Sequence, residues 1–340
     1  MDSNEMIERV INRIVNASGT ESWGMDMNHF DWVPGVGLYG LYKAYTHTKK
    51  QYIFDYIENW INRHVDEACI LRTVNSSAPM DTILSMYTQT NNSRYQKVCG
   101  EAATYIMKDA PRTPDGALEH TVTEAAGVFS QQIWADTLFM VCIFLSHMGA
   151  VSGEKELLKE AGKQLTIHLE ALKDRKTGLF FHGYNCEKKN HMSGALWARA
   201  NAWIIVSAFE MLGFLGDNFL GKDQVIKSVR EQAQALASLQ RENGMFGTVL
   251  NQNDAYDEAS ATAGISYGIT VGVKMGYLDK KCLEIADRAY YGVIKLVNES
   301  GAVGMVSSGT PVMPTIDAYK TIKIEPTLYG QGLTLMMLSR

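Results

Sequence analysis

Apolar residues along the 340-residue chain recur mostly at intervals of three and four positions, the repeat of amphipathic helices. This repeat predicts helices near residues 4–16, 35–48, 50–63, 78–90, 93–108, 132–149, 154–172, 197–213, 221–240, 260–276, 280–297 and 325–339. Strand-like alternation is scarce, and nothing reads as a βαβ unit. The links carry further order. Those after the second, fourth, sixth, eighth and tenth helices are short: "KK", "NN", "AVSG", "FLGDNFL" and "YLD". Those after the odd-numbered helices are long, roughly 14 to 27 residues, and long links in compact domains are usually functional.

Strict alternation of long and short links places every long loop on one side of an array of antiparallel helix pairs. Six such pairs closed into a ring give an all-α toroid, an (α/α)6 barrel, expected here as one domain over residues 1–340. The even-numbered helices, rich in small residues as in "GVGLYGLYKAY" and "ATAGISYGITVGVKMGY", suit the crowded inner ring. Helix 154–172, "EKELLKEAGKQLTIHLEAL", carries the charged face of an outer one. Each inner helix then starts where a long loop ends: "DWVPGVG", "NSSAPMD", "SQQIWAD", "ALWARANAW", "DEASATAG" and "EPTLYGQG". Six helix N-termini converging on one mouth favour an anionic ligand, and the aromatic and polar residues there suit a sugar. The alternative is a helical scaffold whose loops only cap the ring.

Composition narrows the class. A net charge of −5 without a basic tract argues against nucleic acid and anionic membrane surfaces. No apolar run reaches the roughly 18 unbroken residues of a membrane span, and "MDSNEMIERVINRIV" lacks the pattern of a signal peptide. Five scattered cysteines with no C-x-x-C pair fit reduced thiols, hence a cytoplasmic expectation. No zinc, calcium or P-loop signature appears, nor G-x-S-x-G. We therefore expect no cofactor and no metal, and a monomer or weak homodimer.

Candidate chemistry gathers at the mouth. Asp136 interrupts the apolar run "SQQIWADTLFMVCIFL" about one turn into its helix. A carboxylate among Trp134, Leu138 and Phe139 is either a paired helix-start acid or a proton donor kept neutral by desolvation. Trp134 stacks on a sugar or fills core. Asn75 and the serines beside it precede Pro79 and can cap a helix; Asp81 reads as structural. His182, in "LFFHGYN", is a possible donor to a ligand oxygen. Trp197, Arg199 and Trp203 fall at i, i+2 and i+6, so they meet one ligand only if the segment begins as loop. Arg199 can clamp a carboxylate or make a salt bridge.

Taken in order, "GVGLYGLYKAY", "VNSSAPM", "PRTPDGALEHT", "QQIWADTLFM", "TGLFFHGYN", "WARANAW", "SATAGISYGI", "VSSGT" and "YGQGL" resemble unsaturated rhamnogalacturonyl hydrolases of glycoside hydrolase family 105 nearly end to end. The resemblance implies a six-hairpin barrel and a small oligosaccharide ending in a 4,5-unsaturated uronate as substrate. It implies Asp136 as proton donor, with Asn75, His182, Trp197, Arg199 and Trp203 around the sugar. Relatives usually read W-x-R-G-N-x-W; Ala200 stands here in place of that glycine. The implied reaction protonates C4 of the enol ether and hydrates C5, which needs one neutral acid rather than two carboxylates. An unsaturated glucuronyl hydrolase acting on glycosaminoglycan products and a non-catalytic carbohydrate-binding barrel remain the alternatives.

Overall fold

The computed structural model describes residues 3–17, 22–70, 72–123 and 128–340. Six helices form the inner ring: α2 (Trp32–Thr48), α4 (Met80–Thr90), α6 (Ile143–Ser152), α8 (Ala198–Leu215), α10 (Ala259–Lys274) and α13 (Leu328–Leu338). Each packs on the next, and α13 packs back on α2, which closes the toroid. Six others surround it: α1 (Ser3–Val15), α3 (Gln51–His64), α5 (Ser93–Lys108), α7 (Lys155–Leu172), α9 (Lys222–Leu239) and α11 (Leu283–Ile294). The N-terminal α1 lies against the C-terminal α13, so the two ends of the chain complete the ring together.

Inner and outer helices differ as the patterning requires. On α1 the buried residues are Met6, Ile7, Val10, Ile11 and Ile14, a single stripe at helical spacing. The inner α8 is buried nearly all round. It is long and apolar enough to cross a bilayer, yet 83% of it is buried inside the barrel, which marks it as a core helix. Small residues allow the inner helices to approach. A Cβ at Gly40 on α2 would collide with the backbone of Gly332 on α13, and one at Gly332 with Val36. Here the two helices touch main chain to main chain, which only glycine permits.

The expected helices are present, with one change that matters for the site. Residues 132–149 do not form a continuous helix. Gln132–Trp134 is a short strand, β1, paired antiparallel with β2 (Gly183–Asn185) in the register Trp134↔Gly183. A π-helical turn, Leu138–Cys142, then leads into α6; such turns concentrate at functional sites. The last long link also carries a short helix, α12 (Ile316–Lys320), that periodicity did not announce.

The helix starts at the mouth are not uniformly open to an anion. Asp31 accepts from Trp32 N–H at 2.7 Å at the start of α2, and Glu258 accepts from Ala261 N–H at 2.6 Å at the start of α10. Thr327 caps α13 through Gly330 N–H at 3.0 Å. Two of the six starts thus have a carboxylate bonded to their own N–H groups, so helix dipoles alone do not make the mouth an anion site.

Candidate active site

The strand pair builds the centre of the site. Because Trp134 faces Gly183, the next residues outward meet: Ala135 N–H donates to His182 O at 3.0 Å. Asp136 therefore begins its helix beside the His182 ring, and Oδ2 lies 3.2 Å from His182 Nε2. Both atoms are sealed from solvent, and neither makes a hydrogen bond of acceptable angle. The Asp136 side chain keeps 14% of its surface open, and Oδ2 contributes almost none of it. The other oxygen, Oδ1, has no protein partner among the described residues.

Asp136 lines a cavity of about 610 Å³ at the mouth, with Asn75, Trp134 and Arg199. Trp23, Trp32, His120, Val122, Phe129, Met140 and the Ser308–Pro311 segment complete the wall. His120 is held by its N–H to Gln132 O at 3.0 Å and lies flat on Trp134, centroids 4.3 Å apart. Its Nδ1 is 3.1 Å from Thr137 Oγ1. Burial drives the His120 pKa down to about 4, so the ring is neutral at neutral pH.

The electrostatics of Asp136 correct the expectation of a carboxyl kept neutral by its apolar surroundings. Burial does push the Asp136 pKa up, but His182, then His120 and Arg199, pull it back, and the net direction is below the ordinary carboxylate range. At rest Asp136 is a carboxylate. Burial also lowers the His182 pKa, against the opposing pull of Asp136, so that ring is neutral too.

Arg199 is present at the wall but is not a free clamp. Nη1 donates to Ser307 O at 2.9 Å and Ser307 Oγ at 2.6 Å, and Nη2 donates to Ser308 O at 3.0 Å and Thr310 Oγ1 at 3.2 Å. Glu258 sits 3.5 Å from Nη1 and accepts Ser307 N–H at 2.9 Å. The guanidinium lies between Trp197 and Tyr329, 4.5 Å and 4.8 Å from their ring centres. A bidentate grip on a substrate carboxylate would have to break these bonds. What Arg199 offers as it stands is charge, together with a fixed Ser307–Thr310 segment.

Two tryptophans expected on the sugar lie behind the wall. Trp197 is buried against His182 at 4.1 Å between ring centres. Trp203 is fully buried and packs on Phe139 at 4.7 Å, inside the barrel, because α8 is already helical at residue 198 and turns them away from one face. Asn75 is on a 3-10 turn, Asn75–Ser77, with its main-chain N–H on Thr121 O at 3.2 Å. It caps no helix; Ser76 and Ser77 bond back to Thr73. Asp81 pairs with His147 at 2.9 Å, away from the cavity, as a structural group. Ala200 lies in the first turn of α8 with ordinary backbone, so its methyl imposes no strain. Sequence reasoning missed His120, Glu258, Tyr319 and the aromatic pair Trp23–Trp32. Of these, His120 stood in the "LEHT" stretch and Glu258 in a quoted helix start; residue type alone did not distinguish them.

An α/α barrel with one carboxylate under an aromatic rim defines a carbohydrate-active class of site. Comparison with known proteins narrows it. The family described as Glycosyl Hydrolase Family 88 matches residues 6–340. The chain is 31% identical over 338 residues to the unsaturated rhamnogalacturonyl hydrolase YesR of Bacillus subtilis (strain 168), covering 98% of this chain and 94% of that one. A solved structure from Salmonella enterica serovar Paratyphi A, described as a possible member of the GH105 family, superposes with a TM-score of 0.95 at 29% identity, covering 99% and 92% of the two chains. An unsaturated glucuronyl hydrolase from Bacillus sp. GL1 shares the fold, with a TM-score of 0.78 at 13% identity over 99% of this chain and 96% of that one. The chain belongs to Glycosyl Hydrolase Family 88 and is a glycoside hydrolase.

Proposed function

We propose that the protein removes a 4,5-unsaturated galacturonyl residue from the non-reducing end of rhamnogalacturonan-derived disaccharides and short oligosaccharides. One observation carries this reading. Among the described residues, Asp136 is the only acid on the cavity wall. Ordinary glycosidases need a second carboxyl group at a set separation. Hydration of an enol ether needs one group that gives a proton and then takes one. The substrate class follows the activity named for the Bacillus subtilis relative, which is alike over nearly the whole chain.

In this mechanism the uronate carboxylate faces Arg199 and the Ser308–Thr310 segment, with the ring near Trp134 and Asn75. Entry of that anion expels water and sets a second negative charge near Asp136, and both effects raise its pKa. Asp136 takes up a proton on binding. It delivers the proton to C4, and positive charge develops at C5 and the ring oxygen. Water adds to C5 while the Asp136 carboxylate accepts its proton, which restores the acid. The resulting hemiketal opens, and the rearranged sugar releases the aglycone. The reading includes a cytosolic site of action, supported by five cysteines that are all free thiols.

Turnover is followed as loss of the ultraviolet absorbance of the C4=C5 bond, on pectin-derived and chondroitin-derived unsaturated disaccharides. The pectin-derived substrate is expected to react and the other to lag. The reverse preference would assign a glucuronyl substrate instead. Reaction in heavy-oxygen water is expected to label C5; label at the anomeric carbon would rule the hydration route out.

A further inference from the structure

Tyr319, on α12, is fully buried, and its hydroxyl lies 2.7 Å from His182 Nδ1. The same hydroxyl accepts Met313 N–H at 3.1 Å. A phenol has one proton to give and two lone pairs to offer. Met313 takes one lone pair. Ser193 Oγ, which also lies near, makes no hydrogen bond of acceptable geometry. Among the described residues His182 Nδ1 is then the one acceptor in reach of the phenolic proton, and the reverse bond, from Nδ1–H to the second lone pair, would leave that proton buried without a partner. The neutral imidazole is then left with its single N–H on Nε2, the atom 3.2 Å from Asp136 Oδ2.

We propose that Tyr319 is a positioning residue for the reaction: through His182 it fixes which oxygen of Asp136 carries the transferable proton. With Nε2–H directed at Oδ2, that oxygen is an acceptor. The acidic proton is confined to Oδ1, which has no protein partner among the described residues and belongs to the part of Asp136 that lines the cavity. With the opposite tautomer, Nε2 would present a lone pair, draw the acid proton onto Oδ2 and hold it away from the sugar. The present angle between Nε2 and Oδ2 is loose, as catalytic contacts commonly are before substrate tightens them. The chain Tyr319–His182–Asp136 joins the last long loop to the strand pair, 137 residues apart in sequence at its first link.

This inference rests on Asp136 being the acid, and the test separates the two. Nitrogen-15 NMR of the full chain, with the His182 ring correlated to its own backbone, reads the tautomer without any variant. The expected state at neutral pH is Nε2–H with Nδ1 as acceptor, and an Nδ1–H tautomer overturns the proposal whatever Asp136 does. Tyr319→Phe is expected to mix the tautomers and lower kcat about tenfold with KM within about twofold. It also moves the alkaline limb of the kcat profile to higher pH, because an Nε2 lone pair favours the protonated acid where Nε2–H favoured the carboxylate. Wild-type kcat and pH profile in a folded Tyr319→Phe also overturn it. Full activity in Asp136→Asn sinks the catalytic reading instead, while the NMR result still reports on the hydrogen-bond chain.

Discussion

Arg199 Nη1 lies 3.5 Å from Glu258 Oε1 with both side chains sealed from solvent, and both residues are bonded to Ser307. This pair fixes the Ser307–Thr310 segment as one wall of the cavity. Breaking a buried pair by neutralising one partner typically costs about 3–5 kcal/mol, because the remaining charge is left uncompensated. Glu258→Gln is expected to lose stability of that order in denaturant unfolding and to raise KM. A loss below about 1 kcal/mol with unchanged KM would mean that the pair holds neither the fold nor the wall.

Arg199→Lys keeps the charge but replaces a planar fork by a point donor. We expect KM to rise at least about tenfold, since the Ser308 and Thr310 contacts cannot both be kept. Steady-state kinetics on the folded variant measure it. Retention of wild-type KM would show that charge alone suffices and that the clamp on the segment is dispensable.

The depressed pKa of Asp136 in the free enzyme fixes the sign of the pH dependence. A reaction that needs the protonated acid weakens as pH rises through that group's pKa. For kcat/KM, which reports the free enzyme, the limb falls on the acid side of an ordinary carboxylate. For kcat, which reports the complex, the limb lies at higher pH, because the bound uronate raises the same group. Parallel profiles of the two parameters test this, and coincident limbs would remove the substrate-induced shift from the mechanism.

Asp136→Asn keeps the shape of the side chain and removes its acid function. Loss of a general acid typically costs about 10²–10⁴-fold, and we expect kcat to fall by at least that. Thermal unfolding should change little by comparison. Turnover equal to that of the native protein would end the assignment.

The tryptophans divide into two groups with opposite expected signatures. Trp203 is fully buried against Phe139, so Trp203→Ala should cost about 3–5 kcal/mol of stability through the cavity left behind. Trp23 is 46% exposed at the cavity rim and meets Trp32 edge-on at 5.8 Å. Trp23→Ala should leave the melting temperature nearly unchanged and raise KM for substrates long enough to reach it. The two variants, compared by melting and by KM, distinguish core from wall; a KM effect confined to Trp203 would reverse the placement.

Helix periodicity and link length were sufficient to specify the barrel, because both are local records of which face of each segment is buried. The inner and outer sets followed from the same pattern, and so did the side on which the mouth opens. Asp136 was legible for a similar reason: one acid inside an apolar run is conspicuous in any context. Its ionisation was not. That depended on His182, brought in by the Trp134↔Gly183 register, and on His120 and Arg199, which reach it from other parts of the chain. The sequence placed Arg199, Trp197 and Trp203 near the mouth, but only the packed α8 showed that the guanidinium is already bonded to Ser307–Thr310 and that both rings lie behind the wall. Burial stripes are set within a few residues, whereas charge state and hydrogen-bond partnership are set by whatever the closed ring brings within about 4 Å, and no linear pattern encodes those encounters.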